Sequence, residues 1–137
     1  MSINWSKEYS VNVAEIDNQH KYFIEIMNEL YDAMLAKNSN KKIQEIFKKL
    51  VWYAGVHFKT EEKYFDKFHY ELANEHKKEH KKLSAKIKEF KILYKEKAQD
   101  TFETTDKLID FLENWLVDHL ANQDKKYSKY FNENSLY

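Results

Sequence analysis

A chain of 137 residues with no proline and a single glycine, Gly55, has little means of making tight turns. Sheets need turn chemistry at short intervals, whereas long helices need few interruptions. The apolar residues are spaced to match that expectation. Steps of three and four residues put Phe23, Ile24, Met27, Leu30, Tyr31 and Met34 on one face of a first helix, from about Asn18 to Lys37. Asp17 is its expected N-cap, and Asn38-Ser39-Asn40 breaks the pattern. A second helix carries Ile43, Phe47, Leu50, Ala54, Phe58 and Phe65 inward and ends near Lys67 or Phe68. A third starts around Tyr70 and steps through Ala73, His76, His80, Leu83, Ile87, Phe90 and Tyr94. Gln99-Asp100-Thr101 supplies a stop and a new cap. The fourth helix carries Leu108, Phe111, Leu112, Trp115, Leu116 and His119.

Helices of about twenty residues are roughly 30 Å long, and short connections favour antiparallel neighbours. The expected fold is all-α, an up-down-up-down antiparallel four-helix bundle, in one domain spanning residues 1–137. The bundle occupies about residues 17–124. Residues 1–16, with Tyr9, Val11 and Val13 loosely alternating, form an extended arm laid over the helices. The tail 125–137, KKYSKYFNENSLY, docks on the bundle or frays. Basic and acidic residues number 23 each and are interleaved, so the concentrated basic patch of a nucleic-acid surface is missing. The absence of cysteine excludes disulfides, thiolate metal sites and thiol catalysis. The first twenty residues hold no apolar run long enough for a signal peptide or a membrane span. A cytoplasmic protein with neither nucleic-acid nor membrane partners is expected.

Five of the six histidines fall on buried stripes. His20 lies three residues before Phe23, and His57 shares a face with Ala54, Phe58 and Glu61. His76 and His80 continue the line of Leu83 and Ile87, while His119 follows Trp115 by four. A single buried histidine is usually a hydrogen-bonded core residue, and HKKEH alone could be a solvated face. All four helices contributing inward histidine, with a carboxylate among them, is a different matter. Each desolvated polar group left unpaired costs about 1–3 kcal/mol. A metal centre takes neutral imidazole nitrogen and carboxylate oxygen together and removes that cost. All five histidines also fall towards one end of the bundle. Five imidazoles exceed the needs of one ion with an open position. With Glu61 and a second carboxylate as bridges two ions fit, and Asp124, five residues after His119, is the candidate.

The pattern His20, His57-x-x-x-Glu61, His76-x-x-x-His80, His119-x-x-x-x-Asp124 resembles that of the hemerythrins, specifically the single-domain bacterial ones. The stretches VNVAEIDNQHK, HFKTEE and WLVDHLANQD carry the resemblance over nearly the whole chain. It implies two iron ions with an oxo or hydroxo bridge. His76, His80 and His119 would hold one iron, His20 and His57 the other, and Glu61 and Asp124 would bridge them. Dioxygen would bind reversibly, as a hydroperoxide, at the iron with the open position, for oxygen storage, transport or buffering rather than catalysis. Phe23, Phe58, Trp115 and Leu116 are apolar candidates for the oxygen pocket. The family often has Met and Tyr-Pro between helices two and three, where this chain has Tyr64-Phe65 and FHYE. His69 in that connection matches no ligand and reads as an exposed turn residue. Trp5 and Trp52 read as plain packing.

The ligand chemistry points the same way. Substrate-oxidising diiron bundles commonly use carboxylate-rich sites with Glu-x-x-His, which this chain lacks. A diiron oxidase or peroxidase and an oxygen or redox sensor remain as alternatives; a zinc hydrolase is disfavoured by the six-coordinate donor set. One spacing is anomalous. Five residues of regular α-helix leave His119 and Asp124 about 140° apart. A π-type turn, or an end of regular helix, is therefore expected between Trp115 and Asp124.

Overall fold

The computed structural model describes residues 3–38, 40–96 and 101–137. Four long segments form α1 (Ala14–Leu35), α2 (Asn40–Phe68), α3 (Ala73–Glu96) and α4 (Phe102–Trp115). α4 runs on as a π-helical stretch, Leu116–Gln123, and then as α5 (Lys125–Glu133). α1 packs on α2 and α4, and α3 closes the ring by packing on the same two helices. The result is the antiparallel four-helix bundle expected from the stripes. Among the described residues, no helix is long and apolar enough to cross a membrane.

The stripe residues fill the interior. Phe23, Met27 and Leu30 of α1, Ile43, Leu50 and Phe58 of α2, Leu83 and Phe90 of α3, and Leu108 and Leu112 of α4 are all buried in one cluster. Tyr31 and Phe111 pack at its margin. A second, smaller cluster joins Val11, Val13, Ile16, Phe65, Tyr127 and Phe131 at one end of the bundle. It draws on the arm, on α1, on the end of α2 and on α5. The tail therefore docks rather than frays, and it does so as a helix. Tyr127 and Phe131, four apart on α5, are fully buried. Ser128 Oγ donates to Val11 O at 2.5 Å, and the Tyr130 hydroxyl donates to Phe68 O.

Two local expectations need correction. α1 starts at Ala14, so Asp17 is not its N-cap. Its carboxylate instead accepts from Ser10 Oγ at 2.6 Å and from Val11 N–H at 2.8 Å, tying the arm to the first turn. α3 starts at Ala73, after a turn through Tyr70. Trp52 is 61% exposed, so its packing is an edge-to-face contact with Tyr22 at the surface, while Trp5 is half-buried beside Tyr9. Of the expected interruption Asn38-Ser39-Asn40, Asn38 lies between α1 and α2, Asn40 opens α2, and Ser39 lies outside the described residues. So do Gln99 and Asp100; Thr101 precedes α4 without a side-chain capping bond.

With glycine unavailable, other residues take the left-handed backbone at helix ends. Lys37, His69 and Ser135 have φ of 53°, 56° and 64°. In each case the next residue's N–H returns to a carbonyl five positions earlier: Asn38 to Ala33, Tyr70 to Phe65, Leu136 to Phe131. That is the closing bond of a Schellman motif. His69 is thus an exposed turn residue, as its position suggested.

If α5 is an integral wall of the fold, Phe131→Ala should destabilise the protein by about 3–5 kcal/mol, the usual range for emptying a buried aromatic site. Trp52→Ala, at an exposed position with one aromatic partner, should cost about 1 kcal/mol or less. Urea denaturation of the two variants checks this. Equal losses would mean that the tail only rests on the bundle.

Candidate metal centre

Between the two apolar clusters lies a layer of polar side chains that are all buried. His20, His57, Glu61 and Asp124 are fully inaccessible, and His76, His80 and His119 nearly so. α1 supplies His20, α2 His57 and Glu61, and α3 His76 and His80. The π-helical stretch supplies His119, and Asp124 follows it immediately. All seven residues singled out from the sequence meet in this layer. His69 does not.

Asp124 reaches the layer because of the local widening. Its N–H bonds to His119 O at 2.8 Å, a step of five in place of four. That single extra residue per turn brings positions 119 and 124 onto one face. Asn122 Nδ2 donates to Val117 O at 3.0 Å, another five-residue span within the stretch.

The five imidazoles aim their Nε2 atoms at the two carboxylates. Asp124 Oδ2 is 2.9 Å from His20 Nε2 and 3.5 Å from His57 Nε2. Its other oxygen, Oδ1, is 2.9 Å from both His76 and His119. Glu61 Oε1 is 3.1 Å from His57 and 2.9 Å from His80, and Oε2 is 3.4 Å from His76. Asp124 therefore turns one oxygen to each group of histidines, and Glu61 spans the same divide. Several of these atoms lie close without a satisfying hydrogen bond, namely Nε2 of His57, His76 and His119, Glu61 Oε2 and Asp124 Oδ1. Two ligands about 2.1 Å from one ion and at right angles are about 3 Å apart. The shorter separations, 2.9–3.1 Å, match that edge length. The donor atoms fall into two tight groups, Glu61 with His76, His80 and His119, and His20 with His57 and Asp124, each within 4.8 Å. The residues present thus fit two metal ions, each donor group offering imidazoles and a carboxylate.

Outer hydrogen bonds fix several of the rings. His20 Nδ1 faces Tyr9 O at 3.0 Å, His57 Nδ1 faces Gln19 Oε1 at 2.8 Å, and His80 Nδ1 faces Glu62 Oε2 at 2.9 Å. A neutral ring that donates from Nδ1 would present its Nε2 lone pair inward to a metal. Gln19 is itself held, its Nε2 donating to Thr60 Oγ1 at 2.9 Å. Aromatic rings cover the faces. Phe58 stacks on His80 at 3.9 Å, Trp115 on His119 at 4.0 Å and Tyr53 on His57 at 5.3 Å. Phe23 packs its ring against Tyr53, 5.1 Å away, and Leu116 is buried within the π-helical stretch. Below, Phe65 and Tyr127 set their rings 4.9 and 5.6 Å from His76. Sequence reasoning missed Gln19, Tyr53, Glu62 and Tyr127. Tyr53 had a usable signal, one turn before His57 on the same face. Burial, reinforced by the charges of Asp124 and Glu61, pushes the phenols of Tyr53 and Tyr127 well above their usual range and that of Tyr70 up to about 12, so all three stay neutral.

Without metal the layer is a buried charge network. Burial opposes charge on His57, but Glu61 and Asp124 outweigh it and lift that imidazole to about 9. The same balance lifts His76 to about 10. Burial also opposes charge on the two carboxyls. On Glu61 the neighbouring Asp124 adds to that, yet His57 and His76 prevail; on Asp124, His119 does so first, with His20 and His57. Both acids end well below the usual carboxylate range.

The signs follow. The depressed acids add stability that is present above about pH 4 and lost as pH falls. The raised imidazoles add stability that is full below about pH 6.5 and lost as pH rises through about 9 and 10. Metal-free protein should therefore melt highest at mildly acidic pH, between about pH 4 and 6.5, and lose stability on both sides. Because imidazole binds metal only when neutral, the number of protons released by metal binding at pH 8 should include those held by His57 and His76. Calorimetry in buffers of different ionisation enthalpy measures that number; no release at pH 8 would contradict the charge assignment.

Comparison with known proteins gives the arrangement its relatives. Residues 11–131 match the family model described as the hemerythrin HHE cation binding domain. A bacteriohemerythrin of Clostridium acetobutylicum is 32% identical over 128 residues, covering 90% of this chain and 96% of that protein. One from Pseudomonas aeruginosa is 31% identical over 123 residues, covering 90% of this chain and 77% of that protein. The crystal structure of a wild-type hemerythrin superposes with a TM-score of 0.80 at 31% identity, over 93% of this chain and 95% of that one. The chain belongs to the hemerythrin family.

Proposed function

We propose that His20, His57, Glu61, His76, His80, His119 and Asp124 hold two iron ions and that the protein binds dioxygen reversibly there. Storage, transport or buffering of oxygen is the use that such binding serves. The observation that carries this reading is the unequal donor count around the two positions. Three imidazoles serve one and two serve the other, with both carboxylates between them. The position beside His20 and His57 is therefore short of a ligand. A diiron pair at such a site supplies the two electrons that reversible dioxygen binding requires. Everything else is the work of the chain.

The side chains favour holding over turnover. Donors are mostly neutral imidazoles, and Glu-x-x-His does not occur in the sequence. The layer is shut off from water by Phe58, Trp115 and Tyr53 above and by Phe65 and Tyr127 below. Exclusion of water limits proton leakage and the side reactions that release reduced oxygen. Phe58, Trp115 and Leu116, with Phe23 behind Tyr53, are the apolar residues assigned to the oxygen pocket. The relatives named bacteriohemerythrin support the same reading.

The test is the visible spectrum of anaerobically reduced, iron-loaded protein before and after air. A band that appears with air and disappears on deoxygenation, over repeated cycles, supports a carrier. One-way oxidation with release of peroxide would replace it with an oxidase, peroxidase or redox sensor. Iron content provides a second test. His80→Ala should lower it, whereas His69→Gly should leave it unchanged. Glycine is the right control at position 69, since the φ of 56° there would strain alanine. Equal loss in both variants would refute the assignment.

A further inference from the structure

The outer partners of the histidines differ in charge. On the two-histidine side both are neutral, a backbone carbonyl of Tyr9 for His20 and the amide oxygen of Gln19 for His57. On the three-histidine side His80 faces a carboxylate, Glu62 Oε2 at 2.9 Å. Glu62 follows Glu61 on α2, so it points about 100° away from the layer, towards α3. Phe58, one turn earlier on α2, stacks on the face of the same ring at 3.9 Å and 15°. Two residues of one helix thus hold His80, one through its face and one through its edge. Phe58 sets the plane of the ring and Glu62 its rotation.

An anionic acceptor at Nδ1–H does more than orient. It draws the proton outward, raises electron density on the ring and makes Nε2 a stronger donor. A neutral amide does this less. We propose that Glu62 is a positioning residue that makes the two metal positions electronically unequal, strengthening the His80 bond to its ion and stabilising that position's more oxidised state. Gln19 is its neutral counterpart on the other side. The proposal rests on the diiron reading above. The competing explanation is a partly exposed ion pair that contributes only to folding.

Glu62→Gln keeps size and an acceptor oxygen but removes the charge; Glu62→Ala removes the acceptor; Glu62→Asp keeps the charge on a shorter arm. Gln19→Glu places a charge on the opposite side. Two readouts apply to protein loaded anaerobically with ferrous iron, namely chelator competition and the midpoint potential by spectroelectrochemistry. Wild-type protein is measured first, and failure to bind two irons there overturns the diiron reading itself. Given two irons, Glu62→Ala should weaken ferrous binding about 10–100-fold, the usual cost of losing such a partner. Glu62→Gln, with unchanged helix content, should shift the midpoint to more positive potential, and Gln19→Glu to more negative. Glu62→Asp should fall nearer wild type than Glu62→Gln. A midpoint for Glu62→Gln identical to wild type, with two irons bound, overturns the proposal and leaves the diiron reading standing.

Discussion

Two carboxylates with no access to water dominate the energetics of this bundle. Glu61 and Asp124 are both fully buried, and among the described residues their ion-pair partners are histidines. An isolated buried carboxylate would cost several kcal/mol and would take up a proton instead. Here five imidazoles surround the pair, and their charge or that of a metal balances it. The rest of the architecture serves that balance. The π-helical stretch turns Asp124 inward, α5 closes the layer from below, and the arm offers Tyr9 O to His20.

The same arrangement separates rigidity from openness. The rings of His57, His80 and His119 are each stacked by an aromatic side chain, so the donor atoms are held before any ion arrives. Preorganisation of this kind favours tight, geometrically defined binding. The donor count nevertheless leaves one side incomplete, and that asymmetry is what a small ligand such as dioxygen could use. Unequal outer partners on the two sides extend the asymmetry from ligand number to ligand strength.

Much of this was legible in the sequence because helical periodicity acts on every residue in the same way. The steps from His57 to Glu61 and from His76 to His80 place side chains on one face whatever surrounds them. The step of five from His119 to Asp124 was informative for the opposite reason, since it is incompatible with regular helix, and a π-helical stretch spans it. Elements fixed by tertiary contact were harder. Asp17 sits where a cap belongs but binds the arm, because Ser10 and Val11 come back to meet it. The tail reads as too short to be stable alone, and it is helical because Phe65 and Val11 bury its two aromatic anchors. Gln19 and Glu62 lie one residue off the stripes, where their meaning depends on which neighbouring helix they face.

We propose that one buried layer of seven side chains holds a pair of iron ions in each chain. Anaerobic titration of the metal-free protein with ferrous iron, followed by thermal melting at each step, tests it directly. Saturation is expected at two irons per chain, with the melting temperature rising until the second equivalent and then levelling, because an ion bound to the folded state adds stability by mass action. Saturation at a single iron, or a melting temperature indifferent to iron, would contradict it.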